Sequence, residues 1–276
     1  MSRYLDPKTD VVFKKIFGEH KTLLISFLNA LLPLPEDGLI VSLEYLSPEQ
    51  APNIPVLKRP IVDVKCVDQQ KRIFIVEMQI EWTDGFMQRM LFNTSHAYVK
   101  QLQKGQEYHL LQPVYGLALL AENFEHENPE WYHYYKMVNI QDTQKTIKGL
   151  QLIFVELKKF QPKAYHQKKL QALWLRFMAL NEKTTEIPDE LLSTPEIKAA
   201  VDLLESSAYT PAELDYYDKY WDAVSCEKTL MSERFEQGIE QGKHELIKRL
   251  RAIGVSLEDI ATASSLSIEE ISKIAD

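Results

Sequence analysis

The stretch Arg59 to Ile80, RPIVDVKCVDQQKRIFIVEMQI, limits what this chain can fold into more than any other. Residues Ile61–Asp68 and Arg72–Ile80 are β-branched and apolar, and the polar group Gln69-Gln70-Lys71 lies between them. That pattern predicts a β-hairpin. Each arm carries one carboxylate where an apolar residue is expected, Asp63 in the first and Glu77 in the second. Side chains alternate along a strand, so Ile73, Ile75, Glu77 and Gln79 share one face, and Phe74, Val76, Met78 and Ile80 share the other. A three-residue loop that sets Asp68 opposite Arg72 also sets Asp63 opposite Glu77, with Cβ atoms roughly 5 Å apart.

Two like charges so placed repel, and burying an unpaired charge costs several kcal/mol. A divalent cation between them removes both penalties, and hard cations such as Mg²⁺ take carboxylate and carbonyl oxygens. The hairpin therefore reads as a small metal site. A structural reading stands beside it. A one-residue slip moves Asp63 and Glu77 to opposite faces, and Lys65 or Arg72 could serve as a salt-bridge partner.

Pro60-Ile61-Val62-Asp63 and Val76-Glu77-Met78-Gln79 resemble the PD-(D/E)xK nuclease signature, in the variant whose final Lys is replaced by Gln. The flanking residues are similar to the branch called the Rpn recombination-promoting nucleases or PD-(D/E)xK family transposases. The opening Asp6-Pro7-Lys8-Thr9-Asp10 through Gly18 carries the likeness, as do Arg89, Tyr98, Gln101-Leu102, Gly105 and Pro113-Val114-Tyr115. The resemblance covers roughly residues 3–160 and, more loosely, the acidic tail. It implies an α/β, restriction-endonuclease-like mixed sheet flanked by helices, with an all-helical C-terminal region.

It also implies a metal-dependent DNA endonuclease linked to recombination or transposition. Asp63 and Glu77 would bind Mg²⁺ (Mn²⁺ or Ca²⁺ as alternatives), with the Met78 carbonyl a third ligand. Gln79 would orient the attacking water or a phosphate oxygen, without the charge of the usual Lys. Arg89 matches the family's arginine and would hold the substrate phosphate. Asp10 is a candidate additional acidic group; its structural alternative is a surface pair with Lys14 at i+4. The alternative function is a catalytically weak or silent nuclease-fold module that binds nucleic acid or a protein partner.

The net charge of −8 argues against strong non-specific DNA binding, but its distribution matters. Residues 1–160 hold 18 basic and 19 acidic side chains, and the rest of the chain holds 14 and 21. The candidate catalytic part is thus nearly neutral and can bind phosphate locally. Only Cys66 and Cys226 are present, in no metal-binding spacing, which suits a reducing cytoplasm and argues against zinc. No apolar run approaches the ~18 residues of a membrane span, and the first residues lack a signal-peptide core.

Three regions follow from the pattern: a nuclease-like domain over 1–160, a helical region over 161–250 and a small helix-turn-helix-like pair over 251–276. Asp6-Pro7 is expected to open a helix running to Pro33, Gly38–Leu46 a first strand, and the proline-rich 47–60 a loop. Phe86–Gln103 reads as a helix, and Pro113–Ala121, Trp131–Ile140 and Leu150–Phe160 as strands. Glu213–Leu250 is expected to be one long helix in which Gly238 and Gly242, one turn apart, let another helix approach. The final pair starts twice with a capping box, at Ser256 and Ser267. It would bury Leu257, Ile260, Ala261, Leu266, Ile268, Ile271 and Ile274. Its second helix presents Glu269 and Glu270, so it reads as a protein-protein or homo-oligomer element rather than a DNA reader. A tail that covers the core's phosphate groove is a further regulatory reading.

Overall fold

The computed structural model describes residues 4–47, 62–80, 82, 83, 85–161 and 169–274. The expected proline-rich loop at 48–60, together with Ile61, lies outside the described residues.

The N-terminal helix is broken. Asp6 caps no helix at Pro7: its carboxylate accepts the Lys8 N–H at 2.9 Å and its carbonyl accepts the Thr9 hydroxyl at 2.9 Å. Helix α1 (Asp10–Phe13) runs into a π turn (Lys14–Gly18), and α2 (Lys21–Leu31) restarts after His20. The break lets both halves bury their apolar sides. Phe17 meets Phe27 at 4.4 Å between ring centroids, and Trp174 packs edge-on to Phe27 at 5.3 Å.

Six strands form one mixed sheet: β1 (Leu43–Tyr45), β2 (Val64–Asp68), β3 (Ile73–Gln79), β4 (Val114–Leu120), β5 (Tyr132–Asn139) and β6 (Asp142–Glu156). Their order is β1-β2-β3-β4-β6-β5. The central pairs β3–β4 and β4–β6 are parallel, and the outer pairs are antiparallel. Strand β1 is shorter than the expected Gly38–Leu46. The Gln69 side chain takes the Leu39 carbonyl and the Val41 and Ser42 N–H groups, which a ladder would otherwise pair. Strand β6 is longer at its start and shorter at its end than expected. Its first half pairs with β5 in an exposed hairpin, where both faces meet water and hydrophobic alternation has no cause to appear.

Helix α3 (Phe86–Val99) joins β3 to β4 and lies on one face of the sheet. A Cβ at Gly116 of β4 would stand 2.6 Å from Thr94 Cγ2 and 2.8 Å from Met90 Cε, so glycine permits the helix to seat this closely. Ile73 and Ile75 pack there with Phe86, Met90, Ala118 and Phe154.

Helices α4 (Lys169–Met178), α5 (Asp189–Leu192) and α6 (Pro195–Asp202) follow, and α4 and α6 pack on α2. The chain divides into two compact units, Met1–Leu214 and Asp215–Asp276. Helix α7 (Pro211–Ala252) is continuous, as its pattern predicts. In the second unit the end of α7 packs with α8 (Leu257–Ser264) and α9 (Ile268–Ile274) around Ile247, Ile260 and Ile271. Ser256 caps α8 by accepting the Asp259 N–H at 3.1 Å. Ile268, expected in that core, is exposed, because Ile247 of α7 fills the place between the two short helices. Among the described residues no helix is long and apolar enough to cross a membrane.

Candidate active site

The hairpin has the register its three-residue loop demands. Val64 faces Val76, Lys65 faces Ile75, and the Asp68 N–H donates to the Arg72 carbonyl at 3.1 Å. Lys71 closes the loop with φ of 63°. Continued by one step, this register sets Asp63 beside Glu77. Asp63 is not itself in the ladder, because β2 begins at Val64. The chain bends there, and Asp63 Oδ2 accepts the Met78 N–H at 2.7 Å. The carboxylate thus takes the hydrogen bond that the next residue of the strand would have made. In an extended strand the N–H and C=O of one residue face the same edge, so the Met78 carbonyl lies on the edge that Asp63 occupies.

Glu77 and Gln79 point to the α3 side, as alternation requires. Glu77 is 4% exposed. Its Oε1 accepts Asn93 Nδ2 at 2.7 Å, and its Oε2 lies 3.5 Å from Arg89 Nη2. The same Arg89 nitrogen donates to Gln79 Oε1 at 2.6 Å. Arg89 also lies over the Phe86 ring at 4.7 Å, and its side chain is half exposed. Asn93 is one helical turn beyond Arg89, and both reach the strand from one side of α3.

Burial pushes the Asp63 carboxyl up to about 6. The Met78 N–H pulls it down, Glu77 and Asp10 push it up, and Lys14 opposes them. Burial also raises Glu77, against the hydrogen bond from Asn93 and the charge of Arg89. Two neighbouring carboxyl groups are thus held in a place that disfavours their charged forms. Among the described residues Asp63 Oδ1 accepts no hydrogen bond.

Among the described residues neither alternative partner pairs with the site carboxylates. Arg72 is spent on Asp68, at 2.6 Å, and on the Gly38 carbonyl, also at 2.6 Å. Burial and Lys100 lower the Lys65 amine, and neither site carboxylate pairs with it. Asp10 pairs with Lys14 at 2.6 Å, yet stands near enough to Asp63 to act on it. Among the described residues no three acidic, histidine or cysteine side chains gather as a metal cage. The register sets the Asp63 and Glu77 carboxylates side by side, with the Met78 carbonyl on the edge that Asp63 occupies, and oxygen donors of this kind are what hard divalent cations take.

The family model for PD-(D/E)XK nuclease family transposases matches residues 7–232. The chain belongs to that family. No curated protein and no solved structure matches it. As a PD-(D/E)XK nuclease family transposase it has the mixed α/β fold of that group, and its family implies nuclease-like chemistry on DNA. PD-(D/E)XK nucleases generally use divalent metals. Two residues in this family member's site escaped the sequence reading. Asn93 gave a faint signal, its i+4 spacing from Arg89. Lys14 gave only its spacing from Asp10, and its nearness to Asp63 comes from the fold.

Proposed function

We propose that the chain is a metal-dependent endonuclease that hydrolyses phosphodiester bonds in DNA. The observation that carries this reading is the pair of adjacent carboxyl groups, half-buried Asp63 and buried Glu77, both pushed upward by burial although Lys14 and Arg89 act against it. Asp63, Glu77 and the Met78 carbonyl would hold Mg²⁺, with Mn²⁺ or Ca²⁺ as possible substitutes. The ion would supply Lewis acidity toward the phosphate and a more acidic water. Gln79 accepts from Arg89 through Oε1, and an amide of this kind would orient a water or a phosphate oxygen by hydrogen bonding. Arg89 is half exposed at the rim, where its planar fork can take two phosphate oxygens. Asp10 adds negative charge nearby and holds Lys14 in place. Recombination or transposition is the setting that the family supports.

Plasmid DNA incubated with the purified chain tests the reading. Cutting should require Mg²⁺, stop with chelator and be lost in Glu77→Ala. Cutting that ignores the chelator, or is equal in Glu77→Ala, overturns it. One observation favours a second reading, a silent nuclease-fold module that binds nucleic acid or a protein. Arg89 is engaged by Gln79 and Glu77, and Gln79 lacks the charge of the usual Lys. Calorimetry with Mg²⁺ separates the two: a silent module gives no binding heat that Asp63→Ala removes.

A further inference from the structure

Helix α7 carries an apolar side whose largest residues are open to solvent. Met231 is 53% and Phe235 70% exposed. Single exposed apolar residues need no explanation, but Met231 and Phe235 lie about one turn apart on one side of the helix, and Gly238 and Gly242 continue that side. Met231, Gly238 and Glu245 form one row at spacing seven, and Lys228, Phe235 and Gly242 form another at the same spacing. The two rows lie side by side, as the inner positions of a coiled coil do. Each glycine weakens a helix relative to alanine. A Cβ added at Gly238 or Gly242 would meet nothing within 4 Å, so nothing among the described residues calls for either gap.

We infer that α7 pairs antiparallel with α7 of a second copy of this chain, the large residues of one helix seating over the glycines of the other. With the two-fold axis between Glu236 and Gln237, Met231 faces Gly242 of the second copy. Phe235 then faces its Gly238, and Lys228 faces its Glu245. By symmetry every contact occurs twice. Two independent matches thus coincide in one register: large against absent side chains, and positive against negative charge. Glu245 already accepts Arg249 of its own helix at 3.0 Å, so Lys228 of the second copy would join an existing ion pair. A parallel pair does the opposite. It sets Lys228 against Lys228, Glu245 against Glu245 and glycine against glycine, which leaves repulsion and voids. Size and charge together therefore select both the occupant, a second copy, and its direction. This inference does not depend on the nuclease reading, since every residue it uses lies in the second compact unit.

The test is sedimentation equilibrium of the full-length chain under reducing conditions, because Cys226 is exposed and could cross-link. The wild type should form a concentration-dependent dimer. Gly242→Leu should weaken it at least ~10-fold without loss of far-UV helicity, since leucine favours helix over glycine. Lys228→Glu alone, and Glu245→Lys alone, should each weaken the dimer about 10-fold, and the double variant should recover wild-type association. A wild type that stays monomeric overturns the inference, as does a dimer unchanged by Gly242→Leu. A double variant no better than the single ones overturns the antiparallel register.

Discussion

Glu77 and Glu156 lie on the same face of the sheet, near the same end of parallel strands that flank β4. The registers place Glu77 level with Ala118 and Phe154, and Gln79 level with Leu120 and Glu156. Their surroundings differ. Glu156 is fully buried and accepts three donors: Lys159 Nζ at 2.7 Å, His133 Nε2 at 2.9 Å and the Phe124 N–H at 3.0 Å. Lys159 also donates to the Glu125 carbonyl, so the group ties the loop after β4 to the end of β6. Glu77 has one neutral donor and a longer contact to a half-exposed arginine. Asp63 beside it has one backbone donor. The protein completes the electrostatics of Glu156 with its own cation. At Asp63 and Glu77 the nearby cations, Lys14 and Arg89, oppose the effect of burial without overcoming it. A wall of aromatic rings, with Trp82 stacked on Phe124 at 4.8 Å and Phe124 against His133 at 4.9 Å, stands beside the Glu156 group.

The sharpest way to break this contrast is to delete one acid from each place. Asp63→Ala should lower DNA cutting by on the order of 10³-fold, equivalent to about 4 kcal/mol of barrier, while its thermal midpoint does not fall. Glu156→Ala should do the reverse. It leaves Lys159 and His133 facing a void, which costs about 3–5 kcal/mol of stability in urea unfolding, and it should cut DNA at a near-normal rate below its melting point. A stable Glu156→Ala protein, or an unstable Asp63→Ala protein, would erase the distinction.

The metal-free pH dependence comes next in size. Folded Asp63 keeps its proton up to about pH 6, whereas the unfolded side chain loses it near its ordinary value of 3.8. The folded state therefore binds more protons in that window, and the group's contribution to stability falls as pH rises through it. Asp63→Asn should then be more stable than the wild type at pH 7 by roughly 1–3 kcal/mol, with the part-exposed position reducing the full shift. The gap should close toward pH 4, and Mg²⁺ should close it at pH 7 by binding the charged form. A gap that ignores both pH and Mg²⁺ would show that burial of the Asp63 charge is not its origin.

The smallest effect belongs to Asn93. Its amide is the nearest donor to Glu77, and Asn93→Ala should raise the Glu77 carboxyl further. Calorimetry at pH 7 should read Mg²⁺ binding about 10-fold weaker, near the value of one hydrogen bond to a charged group. Unchanged affinity would mean that Asn93 serves packing alone.

The site's centre was legible because it breaks a pattern. Asp63 and Glu77 interrupt two apolar runs, and the three-residue loop between those runs fixes how the strands meet. The break in the first helix was not legible, since Phe13, Ile16 and Phe17 keep a helical stripe across the π turn. Nor was the long β5–β6 hairpin, whose solvated faces carry no alternation, or the exposure of Ile268, which depends on Ile247 reaching the same core from α7.

By itself the sequence determined the hairpin, the side to which Glu77 and Gln79 point, and the unbroken α7. Each depends on contacts a few residues apart, where periodicity and turn length are enough. Only the tertiary structure decided that Asn93 and Arg89 reach Glu77, that Lys14 and Asp10 act on Asp63, and that Glu156 has a lysine and a histidine while Glu77 has neither. Those outcomes depend on how α3 seats on Gly116 and on which strands become neighbours. No local pattern encodes them, because the partners are brought together by packing the whole core.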